Sequence, residues 1–149
     1  MDAMDIHNTA SMFEGHVHDF DAAKKRAVDA LPKGWFQTVP QFTTVKSDPY
    51  KGRPQVAVNT RLADPDGKTV GFVNFRISPV PFFWADGKAD STTTLWDNLA
   101  EVVKKETGQE TLNGAAILTY LVSYPVMINV YPNKKGFLAA SKIAPVKVA

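Results

Sequence analysis

Two alternating stretches within residues 55–78, joined by Asp64-Pro65-Asp66-Gly67, constrain the fold more than any other part of this chain. The joining residues favour tight turns, so the segment is predicted to form a β-hairpin. Because side chains alternate between the faces of a strand, pairing Ala63 with Lys68 makes one face apolar, and that face is expected to be core. In that register, the expected core pairs are Val56 with Phe75, Val58 with Val73, Thr60 with Gly71, and Leu62 with Thr69.

The other face of the hairpin has an unusual composition for a surface in contact with water. It carries Gln55, Asn59 and Arg61 across from Val70, Phe72, Asn74 and Arg76. Aromatic, guanidinium and amide groups together suit stacking on bases and pairing with phosphates. The alternative interpretation is a half-buried Phe72 under a loop or a terminal segment, with the two arginines as ordinary solvated charges.

Length and composition indicate one globular domain. The chain has 149 residues, of which 44% are hydrophobic and 21% charged, and this is enough to bury a core without disulfides or metals. We predict an N-terminal arm at residues 1–18 and a single domain at residues 19–149. The chain has no cysteine, which excludes a disulfide scaffold, thiolate zinc sites and a cysteine nucleophile.

The absence of cysteine and the pattern of the first residues favour a cytoplasmic protein. The first five residues are acidic at Asp2 and Asp5 and lack the basic-then-apolar order of a signal peptide. No apolar run approaches the roughly 20 residues that span a bilayer, so no membrane association is expected. A formal charge of +2 is too mild to require nucleic acid as a partner, so the positions of the basic residues carry the argument.

Local patterns predict the remaining elements. The aromatic run Phe82-Phe83-Trp84, within the connection at residues 79–90, is expected to cap the core or to leave one ring exposed for a ligand. Residues 111–123 suit either a helix or a strand. The other predicted elements are a helix at 19–31 with an apolar stripe from Phe20, a strand at 35–46 with an edge position or a bulge at Pro40, a helix at 95–105, a strand at 126–131, a turn at 132–136 and a strand at 137–148.

Three strands, a helix and two further strands form the layout of the OB-fold. The predicted class is therefore mainly β with helices, a five-stranded OB-fold-like Greek-key barrel with a helix between strands 3 and 4 and an N-terminal helix. Such barrels bind oligonucleotides on one sheet face and on the loops between strands 1 and 2 and between strands 4 and 5.

This layout brings three basic and aromatic segments towards one groove. The first loop is residues 47–54 and the second is residues 132–136, with the polar face of the hairpin between them. The alternative is that turns are often rich in lysine and glycine for solubility alone. The candidate nucleic-acid-binding residues are Tyr50, Lys51, Arg53, Arg61, Phe72, Asn74, Arg76, Tyr131, Lys134 and Lys135.

Several short motifs resemble the small single-stranded-DNA-binding OB proteins encoded by bacteriophages. They are Lys51-Gly52-Arg53, the run at 73–78, and the run at 128–136 with 141–145, and the resemblance covers about residues 35–148. It implies a role in phage DNA replication or recombination in the host cytoplasm, with single-stranded DNA as partner and no cofactor. Self-association and replication or recombination proteins are the further partners it allows. Residues 144–149 lack the acidic tail by which the bacterial type recruits partners, so recruitment of that kind is not expected.

A metal site and a catalytic site find less support in the sequence. His16 and His18, with Asp19 and Asp21, could hold a metal, but a closed zinc site needs further ligands and the only other histidine is His7. Neither a Gly-x-Ser-x-Gly motif nor a glycine-rich phosphate loop is present. We therefore do not expect an enzyme or a native metal site.

Two functions of different classes follow. The first is a largely sequence-independent single-stranded-DNA-binding protein that stacks bases on aromatic rings and neutralises phosphates with lysine and arginine. The second is a structural or adaptor β-barrel, for instance a virion or assembly component, whose aromatic surface contacts proteins. Salt-dependent binding to oligonucleotides distinguishes them.

Overall fold

A computed structural model describes residues 10–29 and 31–146 of the chain, without the side chains of residues 28 and 29. The chain divides into two compact units, Met1–Ala30 and Leu31–Ala149. The predicted domain boundary after residue 18 stays a prediction, and residues 1–9 of the predicted arm lie outside the described part.

The N-terminal unit contains helix α1 (Phe20–Asp29). The helix begins after Asp19, whose side chain accepts a hydrogen bond from the Ala22 amide at 3.0 Å, as an N-cap residue does. The predicted helix is thus confirmed, although Leu31, its predicted last residue, lies in a bend. Phe20, the first residue of the predicted apolar stripe, is exposed and has the His18 ring edge-on at 4.6 Å.

The second unit is a curled antiparallel sheet that forms a half-barrel, with two helices between its fourth and fifth strands. Strand β3 pairs with β1, β2 and β4, while β5 pairs with β1 and β6. The barrel-like part of the prediction is confirmed. The elements are β1 (Gly34–Thr38), a 3-10 turn (Pro40–Phe42), β2 (Thr44–Ser47), β3 (Val56–Ala63), β4 (Thr69–Ile77), α2 (Ser91–Thr107), α3 (Gly114–Ser123), β5 (Met127–Pro132) and β6 (Leu138–Ala144).

The single strand predicted at residues 35–46 is wrong, because the chain makes a 3-10 turn at Pro40–Phe42. Proline has no amide hydrogen for a strand ladder, and its fixed φ suits the first position of a helical turn. The strands on either side of the turn both pair with β3, Thr38 with Leu62 and Thr44 with Asn59. The described sheet therefore has six strands rather than the predicted five, with Pro40 at a corner between two of them.

Threonine hydroxyls stabilise this corner. The Thr43 hydroxyl donates to the Val39 carbonyl at 3.0 Å and lies 2.6 Å from the Thr60 hydroxyl. The Thr38 hydroxyl accepts from the Val126 amide at 3.0 Å. Thr38, Thr43 and Thr60 are buried, so these bonds satisfy hydroxyl groups that would otherwise be desolvated without partners.

The central hairpin is confirmed, but its register differs from the predicted one. Val58 pairs with Phe75 rather than with Val73, which is a slip of two residues. The loop is longer than predicted, because the Asp64 amide donates to the Lys68 carbonyl and Ala63 pairs with Thr69 rather than with Lys68. The register shifts by one further residue at Leu62/Ala63. Beyond the shift at Leu62/Ala63, the slip of two residues keeps the side chains of both strands on their predicted faces. Next to the turn the slip is one residue, because Ala63 pairs with Thr69, and Thr69 is exposed although it was expected to lie in the core.

Both helices between β4 and β5 are capped. Helix α2 begins after Asp90, whose side chain accepts from the Thr93 amide, and ends at Gly108 with φ 70°. The ambiguous segment at 111–123 is helical from Gly114 to Ser123, and Asn113 caps this helix, α3, by accepting a hydrogen bond from the Ala116 amide at 2.8 Å. The core under the sheet contains Val58, Leu62, Val73, Phe75, Ile77, Leu95, Leu99, Val102, Val103, Ile117, Leu121, Val126, Ile128, Val130, Ala140 and Ile143.

The C-terminal hairpin is also close to its prediction. In the turn between β5 and β6, the Asn133 side chain accepts from the Lys135 and Phe137 amides, both at 3.0 Å. Strand β6 ends at Ala144 rather than at residue 148, and residues 147–149 lie outside the described part. No helix among residues 10–29 and 31–146 has the length and apolar character needed to cross a membrane.

We predict that the two faces of β4 differ in their contribution to stability. Phe75 is 5% exposed and Phe72 is 57% exposed. Phe75→Ala should lower the free energy of unfolding by about 3–5 kcal/mol, because it leaves a cavity in the core. Phe72→Ala should lower it much less. Chemical denaturation of both variants checks this, and a larger loss for Phe72→Ala would contradict the assignment of faces.

Candidate nucleic-acid interface

Strands β2, β3 and β4 share one surface that faces away from the core, which we call the outer face. Burial alternates along β4, where Val73, Phe75 and Ile77 are buried and the residues between them are exposed. The cross-strand pairs Arg61 with Phe72 and Asn59 with Asn74 bring these side chains together. The outer face carries Thr44, Lys46, Ala57, Asn59, Arg61, Phe72, Asn74 and Arg76.

Arg61 lies between two aromatic rings on this face. Its guanidinium carbon is 3.6 Å from the centre of the Phe42 ring and 5.6 Å from that of Phe72. Its Nε atom is buried without a hydrogen-bond partner, and no carboxylate among the described residues pairs with its charge. The two rings therefore hold a guanidinium group whose charge no carboxylate of the described residues neutralises.

Phe42 was not among the predicted site residues, because residues 35–46 were expected to form a continuous strand. The 3-10 turn at the corner brings this ring next to Arg61, where it is 47% exposed. The isolated pattern of residues 35–46 does not reveal that contact. The proline at residue 40 was the available signal, because it cannot continue a strand ladder.

A groove runs between β4 and β6, which have no ladder of hydrogen bonds joining them. Its volume is about 500 Å³. Aromatic rings and side-chain amides line it together, and these are groups that stack on bases and bond to their edges. We call it the β4–β6 groove, and the residues that line it include Asn59, Phe72, Asn74, Arg76, Tyr131, Asn133 and Phe137.

A second cavity, of about 710 Å³, adjoins this groove at Arg76. We call it the Trp84 cleft. Tyr50 and Lys51 lie at its wall in a tight turn closed by mutual bonds between the Tyr50 and Arg53 backbones, at 3.0 and 3.1 Å. The Lys51 amine is 5.3 Å from the centre of the Tyr50 ring. The cleft thus combines an exposed ring with a cation.

Arg53 has a different role from the predicted phosphate contact. Its Nε donates to the Val80 carbonyl at 2.7 Å, and its Nη2 donates to the Thr92 and Thr93 hydroxyls at 2.8 and 3.2 Å. Its side chain is only 14% exposed and forms an ion pair of 3.5 Å with Asp90. Arg53 therefore anchors the segment at residues 79–90 and is a positioning residue.

Asp90 remains ionised in this cluster. Burial alone would raise its pKa, but hydrogen bonds from the Thr93 amide and hydroxyl and from the Thr92 hydroxyl, with the nearby charge of Arg53, lower the pKa overall. The stabilisation from the charged form is present above the ordinary pKa of an aspartate and is lost as pH falls through the lowered value. The anchor is thus intact at neutral and mildly acidic pH.

Arg76 has an exposed partner. Its Nε donates to the Asp48 carboxylate at 2.6 Å, and the two side chains are 55% and 43% exposed. Exposed pairs of this kind contribute little to stability, on the order of 0–1 kcal/mol. Arg76 can therefore exchange Asp48 for another anion at small cost.

The aromatic run at residues 82–84 does not cap the core. Phe82, Phe83 and Trp84 are all exposed, so the expectation of core capping is wrong. The segment folds into its own small hairpin, in which the Trp84 amide donates to the Lys88 carbonyl at 2.8 Å and the Phe83 and Ala89 backbones form a bridge. Hydrogen bonds from Arg53 to the Val80 carbonyl and from the Asp90 amide to the Phe82 carbonyl hold this backbone in place. The three rings remain exposed to solvent.

The structure brings most predicted site residues into one neighbourhood. Phe72, Asn74 and Tyr131 line the β4–β6 groove, Tyr50 and Lys51 line the Trp84 cleft, and Arg76 lines both. Arg61 lies on the outer face, and the exposed Lys134 and Lys135 lie in the turn that borders the groove at Asn133. Arg53 alone among the predicted residues donates several hydrogen bonds within the described part of the protein, whereas Arg76 forms one exposed ion pair. The residues of this region that were not among the predicted site residues include Phe42, Asp48, Asn59, Phe82, Trp84, Asn133 and Phe137.

No group of three or more histidine, aspartate or glutamate side chains in the described part of the chain is arranged to hold a metal ion.

Comparison with protein-family models found no matching family, and comparisons with curated proteins and with solved structures found no match.

We predict that substitution of Arg53 and substitution of Arg76 change the stability of the protein by different amounts. Arg53→Met should lower the free energy of unfolding by about 1.5–3 kcal/mol, because it removes several hydrogen bonds from a charged donor and leaves their acceptors unpaired. Arg76→Met should change it by less than about 1 kcal/mol. Urea denaturation of both variants measures the difference, and equal losses would contradict the anchoring role of Arg53.

Proposed function

We propose that the protein is a non-enzymatic single-stranded-DNA-binding protein that acts largely without regard to sequence. The observation that carries this proposal is the arrangement of Arg61 between the rings of Phe42 and Phe72, on a face that also presents Asn59 and Asn74. A flat, partly exposed ring beside an unneutralised cation suits a base and its phosphate together.

The fold is consistent with this use of the outer face. If β1 and β2 count as one bent strand, the second unit has five strands with its helices between the third and the fourth. We infer an OB-fold, a partly open Greek-key barrel whose second and third strands and neighbouring loops bind oligonucleotides. On this assignment the second and third strands are β3 and β4, which carry Arg61 and Phe72, and the loops contain Tyr50 and Lys134.

Single strands are favoured over duplexes because of the chemistry of stacking. A ring such as Phe72 offers a face, and only an unstacked base can present its own face to it. Every base has such a face, so stacking discriminates weakly among sequences. Lys51, Arg61, Arg76 and the two lysines of the β5–β6 turn supply the charge that phosphates require.

The biological setting is part of the proposal and rests on the motif resemblance. Binding of this kind serves DNA replication or recombination, for a phage-encoded protein in the host cytoplasm, and needs no cofactor. Self-association and contacts with replication or recombination proteins are compatible with it. A structural or adaptor protein with the same aromatic surface would not bind oligonucleotides.

We predict that the protein binds a single strand of about 30 nucleotides at low salt more tightly than the matching duplex. The slope of log affinity against log salt should be near −0.7 per phosphate neutralised, and Lys134→Ala should reduce its magnitude by less than about one unit. Phe72→Ala should weaken binding by about 1–3 kcal/mol with the slope unchanged. Fluorescence anisotropy with labelled strands measures both effects.

Two exposed residues outside the outer face serve as controls. Tyr124→Ala removes a ring that is 57% exposed at the end of α3, and Lys104→Ala removes a charge from the last turn of α2. Both should leave affinity and salt dependence unchanged. Failure of the folded wild-type protein to bind the single strand at low salt would overturn the proposal in favour of the adaptor function.

A further inference from the structure

The small hairpin at residues 82–89 exposes aromatic surface next to the outer face. Trp84 is 59% exposed and Phe83 58%, while the Phe82 ring lies edge-on to Trp84 with the ring centres 5.1 Å apart. Large exposed rings in a cluster mark a binding surface more often than single scattered ones do. None of these rings contributes to the core of the unit.

The backbone under these rings is held by hydrogen bonds on several sides. The Thr93 hydroxyl accepts from the Phe82 amide at 2.9 Å, the Phe82 carbonyl accepts from the Asp90 amide at 3.0 Å, and Arg53 holds the Val80 carbonyl. The Arg53 guanidinium also lies 5.8 Å from the centre of the Phe82 ring. The rings are thus presented on a fixed support, which reduces the entropy lost when a ligand binds.

The charges of the Trp84 cleft suit a phosphate. Asp90 is paired with Arg53, and Asp48 is paired with Arg76, so Lys51 is left without a carboxylate partner among the described residues. Arg76 uses Nε for Asp48, and its other nitrogens have no hydrogen-bond partner among those residues. An incoming phosphate oxygen can therefore bind Arg76 beside Asp48 or in its place.

The cleft is continuous with the outer face. Arg76 lies on β4 two residues from Asn74 and four from Phe72, and it lines both the β4–β6 groove and the cleft. A strand bound along β4 therefore meets Arg76 as it leaves the outer face. The cleft volume of about 710 Å³ is within the range of small-molecule ligand pockets, which is roughly 300–1,000 Å³.

We propose that the Trp84 cleft is a second nucleotide subsite, in which a base stacks on Trp84 and the adjoining phosphate binds Arg76 in competition with Asp48. This inference rests on the proposed function and extends it, because it gives the bound strand a path across the surface from Phe72 past Arg76 to Trp84. Asp48 then acts as a built-in competitor that weakens binding until a phosphate displaces it.

Tryptophan fluorescence tests the subsite directly. The chain has three tryptophans, and Trp35 offers a control because it lies in β1 and lines neither the groove nor the cleft. Titration with deoxythymidine oligonucleotides of about 4 to 16 nucleotides should quench the emission of the wild-type protein and of Trp35→Phe. Trp84→Phe should bind with similar affinity, since phenylalanine also stacks, and should lose most of the quenching.

Truncation of the ring and removal of the competing charge give opposite changes in affinity. Trp84→Ala should weaken binding of the longer oligonucleotides by about 5- to 150-fold, and binding of the shortest ones much less. Asp48→Asn should strengthen binding by about 1.5- to 5-fold, the effect of an exposed ion pair. Asp66→Asn, in the exposed turn between β3 and β4, should have no effect.

The outcomes separate this inference from the proposed function. If the wild-type protein binds no oligonucleotide, the proposed function fails. If it binds but quenching persists in Trp84→Phe and Trp84→Ala keeps full affinity at every length, the subsite is overturned while the outer face stands. That second result is also the one expected if the hairpin binds a protein. Weaker binding by Asp48→Asn would contradict competition and would make Asp48 a residue that positions Arg76.

Discussion

The bend at Val39–Thr43 determines both the shape of the sheet and the composition of its outer face. The Val39 amide donates to the Arg61 carbonyl at 3.0 Å, and the hydroxyl of Thr43 joins the corner to Thr60. Because the strands before and after the corner both pair with β3, the sheet changes direction there and curls. The same corner places the Phe42 ring against Arg61. A straight strand would supply neither the curvature nor this contact.

The outer face leaves two apolar rings partly exposed to water, although their burial would stabilise the fold. Phe42 and Phe72 remain about half exposed, although burial of such rings is worth roughly 1.5–3 kcal/mol each. Arg61 covers part of both rings and gains from them, but its own charge lacks a carboxylate partner in the described part of the chain. The arrangement is favourable in full only when a ligand brings flat apolar surface and negative charge together, as a nucleotide does.

The sequence predicted the structural features that depend on a few neighbouring residues. Alternation placed Phe72 and Phe75 on opposite faces correctly, and the turn residues located both hairpins, because these signals act over a few residues. The register was wrong by two, because it depends on how the Asp64 turn closes. The role of Arg53 could not be predicted, since its partners lie about 27 to 40 positions away in the chain. The same distant contacts fix the backbone at Val80, just before the hairpin that carries Trp84.

The most direct test of the outer face as the binding surface is nuclear magnetic resonance of the isotope-labelled protein titrated with a short deoxythymidine oligonucleotide. The proposal predicts that the largest amide shifts fall on β3 and β4, at Arg61, Phe72 and Asn74, with additional shifts in the aromatic side-chain signals of Phe42 and Phe72. Resonances of the last turn of α2 around Lys104, which lines neither the β4–β6 groove nor the Trp84 cleft, should stay unchanged. Shifts confined to that turn or to the surface around Trp35, with none on β3 or β4, would contradict the account.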